Sequence, residues 1–197
     1  MMARSQFGKS ALFTLILLLL MLAYPLVVYL HIDEVSPRWY GAVLLTVLLI
    51  RSVLTGARRV SDWLIVGLVS VYCLSIMFFD SQLLVKFYPV LMSVGMGLLF
   101  IASLFDSETL IEKFAKAGGT TPPPQAQNYL RVLTLCWGGL LLLNGLIAAY
   151  TAWFASLSAW AVYNGVISYL IFACFAAMEW GYRGYYKKRH NIIDDKP

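Results

Sequence analysis

Six stretches of the chain are almost free of charge, and short polar segments separate them. The apolar runs lie at about 10–30, 40–55, 63–79, 83–105, 129–154 and 159–182. At ~1.5 Å per residue, a helix of about twenty residues covers the ~30 Å hydrocarbon layer of a bilayer. The pattern therefore predicts helices that span a membrane. The first run follows Arg4 and Lys9 and looks at first like a signal peptide. It is longer than the ~7–15 residues of a signal core and has no small-x-small cleavage site behind it. It reads as a retained span, kinked at Pro25.

The connections agree with this reading. Pro37 marks a turn over His31–Tyr40, where Trp39 and Tyr40 suit the headgroup level. Arg58 and Arg59 mark the next turn, with Asp62 as the expected N-cap of the third span. Asp80, Ser81 and Gln82 make another turn. The very short segment Ala155–Ser158 makes neighbours of the last two spans.

The stretch from Leu83 to Lys116 carries two signals in series. Counting its span from Pro89 leaves ~25 Å of helix, short for the layer, so the helix is expected to begin before Pro89. Lys86 then falls in its first turns. A second helix follows at about 107–117, capped by Asp106 or Ser107. Its Leu110, Ile111, Phe114 and Ala115 share one side, with acids early and lysines late. It reads as an amphipathic helix lying on the membrane surface. The prolines of Gly118–Pro124 end it.

Composition then excludes the soluble alternative. The 197 residues are 60% hydrophobic and only 13% charged, whereas a soluble domain carries about 25% charged residues. The net charge of +5 does not point to nucleic acid, because the cations flank apolar runs and form no basic face. Six spans put both termini on one side. That side holds thirteen of the fifteen lysines and arginines, and only Arg38 and Lys86 fall opposite. By the positive-inside rule both termini are expected in the cytoplasm. The expected fold is all-α: one integral membrane domain over 1–197, a polytopic bundle of six transmembrane helices plus one amphipathic interfacial helix.

Candidate chemistry is sparse. Cys73, Cys136 and Cys174 sit in apolar runs without CxxC spacing, and His31 and His190 stand far apart. No metal site and no cofactor are expected. Nucleotide-loop, HExxH and GxSxG motifs and paired carboxylates are absent, so no catalytic residues are assigned. Small residues recur as packing stripes: Ser93 and Gly97; Gly145 and Ala149; Ala161, Gly165, Ala173, Ala177 and Gly181. Asn144-Gly145 and Asn164-Gly165 recur in the last two spans. The asparagines read either as bonds between helices or, with Lys86 and Tyr88, as a polar outer cavity. Arg51, Arg131 and Glu179 read as structural charges, with Glu179 paired to Arg51 or Arg131.

The run Lys86–Lys116, with Thr109-Leu110-Ile111-Glu112-Lys113, Pro122–Pro124, Leu135-Cys136-Trp137 and Asn144-Gly145, resembles the bacterial intracellular septation protein A family. Tyr-Pro-Val-Leu at 88–91, Thr-Leu-Ile-Glu-Lys-Phe-Ala at 109–115 and Trp-Ala-Val-Tyr-Asn-Gly at 160–165 resemble a second group. These are inner-membrane proteins found beside aryl-polyene and fatty-acid-like biosynthesis genes. The Asn-Gly repeat and the YYKKRH tail depart from the septation family, so a septation role is not carried over. The resemblance implies a bacterial inner (plasma) membrane location and a part in envelope biogenesis. The expectation is a multi-pass accessory or scaffold protein without catalysis of its own. The alternative is a carrier or flippase for an amphiphilic lipid or polyene. Expected partners are membrane lipids and a membrane protein or a second copy of the chain.

Overall fold

The computed structural model describes residues 24–55, 60–120 and 122–189. Most of the first predicted span lies outside them, as do Arg58, Arg59 and the last tail residues. Among the described residues the structure is helical, with no strand. Helix α1 (24–31) is followed by α2 (Pro37–Thr55), α3 (Val60–Phe79), α4 (Gln82–Lys86) and α5 (Tyr88–Ser103). Then come α6 (Leu110–Ala117), α7 (Gln127–Phe154), α8 (Leu157–Val162), a π-helical turn (Tyr163–Ile167) and α9 (Ser168–Arg189).

Among the described residues, two helical stretches, Pro124–Phe154 and Leu157–Tyr186, are long and apolar enough to cross a membrane. Only 33% and 17% of their apolar windows are buried, whereas a core helix of a soluble protein is mostly covered. Large apolar side chains such as Phe78, Leu98, Leu146 and Trp180 face outward. The apolar helices Val66–Phe79 and Tyr88–Ser103 are shorter.

Three local expectations are corrected. The fourth apolar run is two helices, not one. Its α-helical hydrogen bonding fails at Phe87, because Pro89 brings no N–H and sits instead in the first turn of α5, where none is needed. The surface helix starts at Leu110, and its cap is Thr109, whose hydroxyl accepts from Glu112 N at 3.3 Å. It also stops before the prolines. Gly119 takes φ +83°, and Thr120 N closes on Ala115 O at 3.0 Å, the usual glycine stop. Finally, α3 begins at Val60, which places Asp62 within the helix and not at its cap.

Packing divides the chain into two compact units: Met1–Tyr88 with Ala152–Gly165, and Pro89–Thr151 with Val166–Pro197. In the first, Tyr24, Val28, Ile32, Tyr40, Ile76, Val85 and Trp160 form the core. Helix α2 meets α3 at Gly41, where an added Cβ would lie 2.8 Å from the Cys73 carbonyl oxygen. In the second unit, α5 meets α7 through reciprocal notches. A Cβ on Gly97 would lie 2.8 Å from Leu142 Cγ, and one on Gly145 would lie 2.7 Å from Val94 Cγ2. Asn144 Nδ2 donates to Ser93 Oγ at 2.8 Å inside the same contact, both side chains buried. Helix α6 is tied to α5 by Ser103, whose Oγ accepts from Leu110 N at 2.9 Å. Phe114 adds an edge contact to Phe100. The stripe on the last helix is only partly used: Ala161 is buried, but Ala173, Ala177 and Gly181 are exposed.

Gly41→Ala and Gly97→Ala are each expected to cost ~1–3 kcal/mol, because the added methyl meets backbone as well as side chain. Gly139→Ala, at a position with nothing within 4 Å, should stay within ~0.5 kcal/mol of the parent. Denaturant unfolding in micelles separates the two classes.

Candidate functional site

The break at Phe87 organises the first unit. The residue four ahead of Val85 is Pro89, which has no N–H, so the Val85 carbonyl has no α-type donor and is met by a backbone N–H at the helix end. The Tyr24 hydroxyl of α1 adds a second donor at 3.1 Å. The Leu84 carbonyl accepts from the Tyr72 hydroxyl of α3. The Lys86 carbonyl accepts from Trp160 Nε1 of α8 at 3.1 Å. Three successive carbonyls of α4 are thus met by ring donors from three other helices. Trp160 is fully buried and Tyr24 nearly so, and a buried carbonyl left without a donor is costly.

Beside this clamp lies a partly open cavity of about 420 Å³. Val27 of α1 and Val43, Leu44 and Val47 of α2 give it apolar walls. Tyr24, Tyr40 and Tyr88 line it as well, and His31 and Trp39 stand at the loop end. The tyrosine rings pack on one another, Tyr24 to Tyr88 at 4.5 Å and Tyr24 edge-on to Tyr40 at 6.4 Å. The size falls within the usual range for a small-ligand pocket. Such a lining favours an apolar chain and offers no nucleophile–base pair. Among the described residues no group of His, Cys, Asp and Glu is arranged to hold a metal.

The loop beside this cavity is held by a charged clasp. Asp80 Oδ1 accepts from Ser36 Oγ at 2.6 Å and from Arg38 N at 2.9 Å, and Oδ2 takes Arg38 Nη2 at 2.9 Å. Asp80 therefore sits as an anion against the first turn of α2, where the helix dipole favours it. Its own backbone is left-handed, φ 47°, a conformation Asp tolerates better than most residues. The Ser36 hydroxyl, and after it Arg38, hold the carboxyl well below the usual carboxylate range, at about 2.

No family model, curated protein or solved structure matches the chain.

The four residues expected to share a polar cavity are not gathered in this one. Tyr88 lines it; Lys86 and Asn164 do not. Lys86 contributes its carbonyl to the clamp. Asn164 Nδ2 donates to the Trp160 carbonyl one turn back, at 2.9 Å, within the stretch that widens into the π turn. Asn144 belongs to the other unit and bonds Ser93. Among the structural charges, the expected pairing of Glu179 is corrected. Its cation is Arg183, one turn along its own helix, bound through Nε and Nη2 at 2.8 Å each. Tyr129 adds its hydroxyl at 2.6 Å. An i,i+4 partner needs no tertiary search, which explains why it wins. Arg131 donates instead to the Leu104 carbonyl at 2.9 Å, just past the end of α5. Arg51 is an exposed residue of α2.

The sequence alone assigned no role to Tyr24, Tyr72 and Trp160, and Tyr40, expected at the headgroup level, is buried in the cavity wall. One signal was present: Pro89 stands four residues after Val85 and so removes that carbonyl's α-type donor. Its side-chain donor, sixty-one residues away, had no local mark.

Tyr24→Phe should cost ~0.5–1.5 kcal/mol, because it removes one hydrogen bond while the Val85 carbonyl keeps its backbone donor. Thermal unfolding in micelles measures this. The Asp80 clasp gives a pH test. A carboxyl depressed from 3.8 to about 2 contributes stability that is complete above about pH 4 and is lost as pH falls through about 2. The unfolding midpoints of the parent and of Asp80→Asn should therefore differ at neutral pH. They should converge as pH falls from about 4 to about 2.

Proposed function

We propose that this chain is a multi-span accessory protein of a bacterial inner membrane, in cell-envelope or polyene-lipid biogenesis. It works by holding an amphiphile and does no chemistry of its own. The observation that carries this reading is the tyrosine-lined apolar cavity of the first unit. Its walls suit one hydrocarbon chain, while Trp39, His31 and the Arg38–Asp80–Ser36 clasp stand where a polar head would meet the interface. Six spans with both termini in the cytoplasm remain the topology we propose, supported by the thirteen-to-two division of cations. The two long apolar helices and their outward apolar side chains support the membrane setting. Resemblance to the aryl-polyene-associated group supports the biosynthetic context.

The alternative is a passive scaffold that contacts another membrane protein or a second copy of the chain. The exposed Ala173, Ala177 and Gly181 favour it, since a small-residue face lets a further helix approach closely.

Crosslinking distinguishes the two. In bilayer nanodiscs, a photoactivatable long-chain fatty acid should label Val43 and Val47 about 10-fold above the outward-facing Val53, a preference of ~1.4 kcal/mol. Leu44→Trp, which fills the cavity, should abolish that excess. Uniform labelling along α2 would remove the carrier reading and leave the scaffold.

A further inference from the structure

The second unit has its own groove, of about 420 Å³, between the start of α7 and the end of α9. Leu133, Phe175 and Met178 make it apolar along one part. Tyr129, Tyr182 and Tyr186 form its other part, with Tyr129 stacked on Tyr186 at 4.7 Å and on Tyr182 at 6.1 Å. The carboxylate in this wall, Glu179, is spoken for: Tyr129 and the fork of Arg183 occupy both of its oxygens. The electrostatics of this end are therefore set by the cations. From Glu179 to Arg189 the sequence carries one carboxylate against Arg183, Lys187, Lys188 and Arg189, a balance of 4 − 1 = +3. Arg183, Lys188 and Arg189 are exposed.

The contrast with α6 is instructive. Its lysines are neutralised within their own segment, Lys113 by Asp106 at 2.6 Å and Lys116 by Glu108 and Glu112 at 2.9 Å. Among the described residues, the end of α9 has one such pair, Glu179 with Arg183, and Lys188 and Arg189 lie beyond it; Asp194 and Asp195 follow in the sequence.

We propose that this groove is a seat for an anionic glycerophospholipid. One acyl chain lies along Leu133, Phe175 and Met178, and the phosphate head meets the basic end of α9. Aromatic rings with polar edges at the boundary, an apolar trough on one side and excess cations on the other match the two halves of such a lipid. A zwitterionic lipid fills the trough equally well but gains less from the charge, so the site discriminates by head and not by tail. This seat is separate from the cavity of the first unit, and the proposal rests on the membrane reading of the chain.

The full-length protein, in nanodiscs of equal phosphatidylglycerol and phosphatidylethanolamine, is analysed by native mass spectrometry. Retained adducts should favour phosphatidylglycerol. A Lys188→Gln, Arg189→Gln double variant, altered only at exposed positions, should lower that preference at least about 10-fold, since a cation near an anionic surface is worth ~1 kcal/mol. Met178→Trp, which blocks the trough, should lower retention of both lipids. Equal retention of the two lipids by the parent overturns the proposal. So does a preference that survives the double variant, or one that disappears with Leu44→Trp. Alkaline extraction tests the membrane reading separately. Release into the wash sinks both ideas, whereas firm retention without lipid preference sinks this one alone.

Discussion

A backbone carbonyl that loses its helical donor must find another or stay in water. The first unit is built around that requirement. Pro89 removes the N–H that the Val85 carbonyl would use, and α4 ends after five residues. Tyr72, Tyr24 and Trp160 reach in from α3, α1 and α8 to meet Leu84, Val85 and Lys86. Each of these side chains supplies a large apolar body as well as a donor, so one residue fills space and closes a hydrogen bond. In a bilayer this matters more than in water, because no solvent stands ready to replace a lost partner. Of these rings, Tyr24 also lines the cavity, beside Tyr40 and Tyr88. The break in the helix and the lined cavity share one residue, Tyr24.

The second unit solves its packing by a different route. Helices α5 and α7 approach through glycine notches, and the contact admits one polar lock, Asn144 to Ser93. Where hydrocarbon surrounds both helices, apolar burial gives little drive, and close fit with a few hydrogen bonds must set register. Such a bond is worth only ~0.6–2 kcal/mol, which suits a role in alignment more than in stability. Charges are handled by short-range pairing. Glu179 with Arg183, and the α6 lysines with their acids, pair within one turn or across one bend. Among the described residues, the end of α9 carries more cations than acids.

Much of the fold was legible from the residues. Apolar runs marked α2, α3 and α7 to within about three positions, and Leu110, Ile111, Phe114 and Ala115 marked the amphipathic helix at its period of 3.6. The stripe Ser93, Gly97 and Gly145 marked the contact between α5 and α7. What failed did so for specific reasons. Asp106 and Ser107 lost the capping role to Thr109, because any of several small polar residues can cap and the bend after α5 chose one. Glu179 took a cation one turn away although two more distant arginines had been favoured. Asn144 and Asn164, alike in sequence context, fell in different units and bond to different kinds of partner.

By itself the chain determined that helices dominate and roughly where several of them run, because that depends on hydrophobic spacing, on proline and glycine, and on local charge order. Pro89 also marked Val85 as a carbonyl without an α-type donor. Only the tertiary structure decided which side chains meet the carbonyls of α4, that Tyr24, Tyr40 and Tyr88 share one cavity, and that Lys86 and Asn164 stand outside its lining. The reason is separation along the chain. Contacts between residues sixty or seventy positions apart are set by how packed helices rotate and slide against one another, and no local pattern encodes that choice.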